Sequence, residues 1–97
     1  MAAGGRGVIA MGANLMPRAY AELTDALLAA DLERARTLSH RLLPLMLAMT
    51  LEVNPIPVKT ALALMGRCAD EFRLPLTPMS APARVKLEAV LREYELV

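Results

Sequence analysis

A four-residue apolar run, Val8-Ile9-Ala10-Met11, set between Gly4-Gly5-Arg6-Gly7 and Gly12, constrains this chain more than any other feature. A short, uninterrupted apolar segment between glycines is the pattern of a strand buried on both faces, as in parallel sheets, and the strand is placed at about residues 7–11. Such a strand needs neighbours, because each of its backbone N–H and C=O groups must find a partner once out of water. No second strand candidate follows anywhere in the 97 residues. One strand does not make a sheet, so the segment reads as part of a sheet whose other strands are not in this sequence.

Everything after it reads as helix. Hydrophobic residues make up 56% of the chain, mostly Ala, Leu and Met, with Tyr20, Phe72 and Tyr94 the only aromatics. Those residue types favour helix over strand. Asn14 precedes Pro17, which starts a first helix at about 17–30 in which Tyr20, Leu23, Leu27 and Ala30 recur on one face. Asp31 is suited to cap a second helix at about 31–51, with Leu38, Leu42, Leu45 and Met49 as its apolar stripe. Pro44 lies inside that stripe, removes the hydrogen bond to the His40 carbonyl and should kink the helix. Asn54-Pro55-Ile56-Pro57 is a rigid break, and Pro57 opens a third helix at about 56–66 that stops at Gly66. Arg67–Met79 reads as an extended connector. Ser80 caps the last helix at about 80–95, which has Pro82 in its first turn and a buried face of Leu87, Val90, Leu91 and Tyr94. The fold class is mainly α, in one small domain with a thin core.

Several function classes fall away. Net charge is +1 with acids and bases interspersed, and the few aromatics cannot form a base-stacking surface, so no nucleic-acid partner is expected. No charge-free apolar run approaches the roughly 18 residues of a bilayer span, and Met1–Ala13 lacks a signal-peptide core, so no membrane partner is expected and the cytoplasm is the expected compartment. The single cysteine, Cys68, fits that reducing setting and reads as a small, partly buried residue.

Candidate chemistry is sparse. His40 is the only histidine, which leaves no metal-ligand cluster, and Ser39 beside it points away from it on a helix. Gly4-Gly5-Arg6-Gly7 precedes its strand, whereas a phosphate cradle joins strand to helix. Glu22 with Asp25, and Glu52 with Asn54, have no second acid or ligand beside them and read as solvated faces. A Schiff base would need a desolvated amine; Lys59 follows the rigid Pro-Ile-Pro segment, Lys86 sits among charges in the last helix, and neither is expected to be a nucleophile. No catalytic residue, metal ligand or cofactor is assigned.

The segments nonetheless resemble a known family. Gly7-Val8-Ile9-Ala10-Met11-Gly12-Ala13-Asn14 with Pro17 looks like the last strand of the dihydrodipicolinate synthase family and its exit into the final barrel helix. Arg41-Leu42-Leu43-Pro44-Leu45 resembles that family's proline-containing helix. Asn54-Pro55-Ile56-Pro57-Val58-Lys59, Ala61-Leu62, Met65-Gly66 and Arg73-Leu74-Pro75-Leu76-Thr77-Pro78 follow in the family's order. The resemblance implies the C-terminal part of a (β/α)8 barrel: residues 1–30 as last strand and barrel helix, residues 31–97 as a C-terminal helical extension. It would supply the strands that Val8–Met11 lacks.

By the same resemblance the complete enzyme, a homo-oligomer, condenses pyruvate, held as a Schiff base, with aspartate semialdehyde in lysine biosynthesis. Those substrates are expected only for the complete enzyme. Ile9 matches a residue whose backbone touches pyruvate, making it the one substrate-binding position carried over. The family's Schiff-base lysine, its proton-relaying tyrosine and the arginine for the second substrate fall in upstream parts, so this chain alone is expected to be inactive. Where the family has Ser-Val after the isoleucine and then Thr or Ser, this chain has Ala10-Met11 and Gly12.

Two other readings stand beside this one. Amphipathic helices cut off from a barrel could act as a small self-association or interaction module. The chain could also belong to a related 2-keto-acid aldolase or N-acetylneuraminate lyase. Folded alone, it should form a helical bundle, with Val8–Met11 irregular or paired with another copy.

Overall fold

The computed structural model describes residues 1–97, and its regular structure is entirely helical. An extended N-terminal segment leads into a 3-10 turn at Met11–Asn14, followed by α1 (Pro17–Leu28), α2 (Leu32–Ala48), α3 (Ile56–Leu64) and α4 (Ala81–Glu93). Val8–Met11 does not form the expected buried strand. Val8 is 64% exposed and Ile9 fully exposed, and none of the residues 6–10 enters a ladder. The reason is the one the sequence raises: without a neighbouring strand, only water can satisfy those backbone groups, so the segment stays at the surface.

Helix boundaries follow local chemistry. Pro17 opens α1 at a position where its missing N–H costs nothing. The helix stops at Leu28, before Ala30, which takes the left-handed conformation at φ 59°. The Ala30 N–H then bonds the Leu27 carbonyl and the Asp31 N–H the Ala26 carbonyl, satisfying two groups that would otherwise be orphaned. Gly66 (φ 71°) after α3 and Glu95 (φ 55°) after α4 close their helices in the same way. At the start of α2 the Asp31 carboxylate accepts from the Arg34 N–H at 3.1 Å, the expected cap. α2 runs unbroken past Pro44 but ends at Ala48, short of residue 51, in a turn where the Thr50 and Leu51 N–H groups bond back to Leu47 and Ala48.

α2 is the spine. Through Ala35 and Leu42 it packs on Tyr20, Leu23 and Ala26 of α1. Through Leu45, Ala48 and Met49 it packs on Ile56, Val58 and Ala61 of α3, Leu87 and Leu91 of α4, and Met79 of the connector. Met16 joins the two clusters. Truncating a fully buried leucine such as Leu45 or Leu87 should cost about 2–5 kcal/mol.

Tyr94 adds a polar tie at the proline. Its hydroxyl donates to the Arg41 carbonyl at 2.5 Å and accepts from the Leu45 N–H at 3.3 Å, two groups that would pair with each other in an uninterrupted helix. A second tie forms at the start of α4. The Ser80 side chain does not cap its own helix; instead its hydroxyl and its backbone N–H both donate to the Glu52 carboxylate, at 2.6 and 3.0 Å.

The shape is open for its size. The accessible surface is 6514 Å², against about 5400 Å² for a compact monomer of 10.5 kDa. The radius of gyration, 14.5 Å, also exceeds the roughly 12.5 Å of a globular chain of this length. About 1100 Å² of surface is therefore left uncovered that a self-contained domain would bury. No helix is long and apolar enough to cross a membrane.

Candidate functional site

The segment that carries the sequence-assigned position is extended up to Ala10 (φ −131°, ψ 136°) and then turns tightly into α1. The Ala13 N–H bonds the Ala10 carbonyl at 3.1 Å, and the Gly12 carbonyl receives the Leu15 and Met16 N–H groups at 3.0 and 3.1 Å. Asn14 Nδ2 donates to the Met11 carbonyl at 3.0 Å and fastens the turn from its outer side. Ile9 sits two residues before this turn with its side chain in solvent, and the polar groups it offers are its backbone N–H and C=O.

Beneath the segment lies a concave apolar surface. One cavity of about 320 Å³ is lined by residues that include Val8, Ala10, Tyr20, Leu23, Leu27 and Met46. A smaller one of about 180 Å³ is lined by Ile9, Gly12, Tyr20, Met46 and Met49 among others. Tyr20 borders both. Its hydroxyl is buried without a hydrogen-bond partner, and burial first, then the nearby Tyr94 phenol, push its pKa above the usual 10.0. The importance of Tyr20 is not readable from sequence, where it is one member of an apolar stripe.

Other candidate residues do not gather into a site. His40 and Ser39 are exposed on α2. Glu22 approaches Arg34 at 3.9 Å, Asp25 is exposed, and Glu52 holds Ser80. Lys59 Nζ lies 5.1 Å from the centre of the Phe72 ring, and Lys86 is exposed on α4. Neither amine faces the cavities under Val8–Met11. Cys68 is exposed, not partly buried, with Sγ 3.7 Å from the Lys59 carbonyl oxygen. No three His, Cys, Asp or Glu side chains come together as a metal site.

A short segment thus presents backbone at the rim of an apolar hollow whose only ionisable side chain is the Tyr20 phenol. Residues 1–94 match the model of the Dihydrodipicolinate synthetase family. All 97 residues align with 33% of the 4-hydroxy-tetrahydrodipicolinate synthase of Trichlorobacter lovleyi at 58% identity, and with 33% of that of Geobacter metallireducens at 57%. Among solved structures, the dihydrodipicolinate synthase of Thermotoga maritima is 44% identical and superposes with a TM-score of 0.94 over 99% of this chain and 32% of its own. The chloride-inhibited dihydrodipicolinate synthase of Acinetobacter baumannii complexed with pyruvate is 36% identical, with a TM-score of 0.92 over 97% of this chain and 32% of its own. The chain belongs to the Dihydrodipicolinate synthetase family. It spans about a third of the length of the curated relatives it matches.

Proposed function

We propose that these residues are the C-terminal third of a (β/α)8-barrel lyase that joins pyruvate to aspartate semialdehyde in lysine biosynthesis. Val8–Met11 is its last strand, α1 its final barrel helix, and α2–α4 the helical extension. One observation carries the reading: the whole chain aligns, without remainder, to one third of enzymes that all bear the synthase name. That shared name favours this reaction over a 2-keto-acid aldolase or N-acetylneuraminate lyase. The uncovered surface supports the same view, since Val8, Ile9 and the hollow beneath them are where a barrel's remaining strands and helices would lie.

In the complete protein, active sites of such barrels form at the C-terminal ends of the strands, which is the end where Ile9 meets the Met11–Asn14 turn. The Ile9 backbone supplies a polar contact to pyruvate there. The nucleophile is a lysine elsewhere in the complete protein. Lys59, against the Phe72 ring, and Lys86, on the surface of α4, line neither hollow beneath that segment, so the 97 residues alone do not catalyse the condensation. The complete enzyme acts in the cytoplasm as a homo-oligomer. The test is reductive trapping: with pyruvate and borohydride the 97-residue chain should gain no mass at Lys59 or Lys86. A stoichiometric adduct on either lysine would overturn the reading.

The exposed apolar side chains favour a second reading, self-association of the isolated chain. Leu43 and Leu47 stand one turn apart on the outer face of α2, with Leu28 and Leu32 near its start. Sedimentation at micromolar concentration decides it, since a monomer across that range would rule it out.

A further inference from the structure

Gly12 is not a glycine for conformational reasons. Its φ is not in the positive range that favours glycine, which in this chain is reserved among glycines for Gly4 and Gly66. The space around it gives the reason. A Cβ at position 12 would lie 3.0 Å from Tyr20 Cζ and 3.1 Å from Cε2, and inside van der Waals contact of the Tyr20 hydroxyl. The phenol occupies the volume that a side chain at position 12 would fill. Tyr20 is 5% exposed and belongs to the cluster against which Ala10, Ala13, Met16 and Ala19 pack, so making room for a Cβ means moving the ring off that packing toward the hollows it borders.

From this we infer that Tyr20 is a positioning residue: its phenol wedges under Gly12 and sets the height and direction of the backbone from Ile9 into the turn. Gly12 and Tyr20 are thus one device with two halves. The Gly12 carbonyl takes the Leu15 and Met16 N–H groups just before α1, so a phenol that fixes position 12 also fixes the lead into the helix. A hydroxyl-bearing side chain at position 12 and a phenol at position 20 would compete for one space. The relevance of the wedge to substrate rests on the reading above, in which the Ile9 backbone faces pyruvate.

Two measurements on the 97-residue chain test the wedge. In amide NMR, Tyr20→Leu should shift the Ile9–Gly12 resonances toward random-coil values while those of Leu87 and Leu91 in α4 stay in place. Unmoved Ile9–Gly12 resonances would overturn the inference. In thermal unfolding, Gly12→Ala should lower Tm by about 5–10 °C in the wild-type background. The loss should shrink in Tyr20→Phe, which keeps the ring carbons but drops the hydroxyl, and nearly vanish in Tyr20→Leu. Should Gly12→Ala fail to fold alone, a folded Gly12→Ala/Tyr20→Leu double variant gives the same support. An equal loss in all three backgrounds refutes the wedge. Pyruvate enters neither experiment, so a failure here leaves the lyase reading standing, and the borohydride result leaves the wedge standing.

Discussion

Replacing Tyr94 by Phe removes one oxygen and should weaken the whole domain. That oxygen joins residues 49 and 53 positions apart, accepting from the Leu45 N–H and donating to the Arg41 carbonyl. Leu45 is completely buried, so its N–H cannot turn to bulk water when the hydroxyl goes. Each neutral hydrogen bond contributes about 0.5–1.5 kcal/mol net, and a stranded buried donor costs somewhat more. The Arg41 end is open to water, which returns part of the loss. Tyr94→Phe should therefore destabilise the chain by about 1–2 kcal/mol, or roughly 5–15 °C in Tm for a domain of this size. Urea denaturation followed by helical circular dichroism measures it, with the midpoint lowered and the slope unchanged. The tie is coupled to Pro44, whose ring prevents normal helical pairing at that turn. In a Pro44→Ala background the Arg41 carbonyl and Leu45 N–H can close on each other, and the cost of Tyr94→Phe should fall by at least about 0.5 kcal/mol. A change below about 0.5 kcal/mol in the wild type, or the same cost in both backgrounds, would refute the account of this tie.

Ala30→Gly should raise stability by about 0.5–1 kcal/mol, because the left-handed C-terminal position after α1 now carries a Cβ; an unchanged or lower urea midpoint would contradict it. Tyr20 predicts the alkaline limb of the stability profile. Its pKa is raised in the folded chain by burial and by Tyr94, so above pH 10.0 the unfolded chain loses this proton first and stability falls as pH rises. Tyr20→Phe should flatten that fall, read as urea midpoints between about pH 9 and 11, while an identical slope in both proteins would count against a shifted Tyr20.

What could be read from sequence depended on how local the cause was. Asp31 as a cap, Pro17 and Pro57 in first turns, and Gly66 as a stop follow from short-range backbone chemistry, and each is found in its expected role. The apolar stripe Leu42, Leu45, Met49 is likewise buried as its spacing requires. The places where expectation and structure part involve groups distant in sequence. Ser80 looked like a cap, yet Glu52 from 28 residues upstream takes its hydrogen bonds. Tyr94 reads as one more apolar position, but its hydroxyl repairs the turn that Pro44 disturbs. Nothing in the pattern around Tyr20 announces that its phenol fills the space a side chain at position 12 would need. Val8–Met11 has the composition of a buried strand, but burial needs a sheet that these residues cannot build, and the segment is irregular, as expected for the chain folded alone. The family segments around it, by contrast, pointed to the right relatives over the whole chain.

The central claim, that these residues complete a barrel lyase, is tested most directly by supplying the rest of the barrel. The upstream two thirds of the Trichlorobacter lovleyi synthase, whose matching third is 58% identical, can be joined in frame to residues 1–97 and assayed with pyruvate and aspartate semialdehyde. The account predicts condensation by the joined protein and none by either part alone. A joined protein that folds but remains inactive, or activity from the 97 residues by themselves, would contradict it.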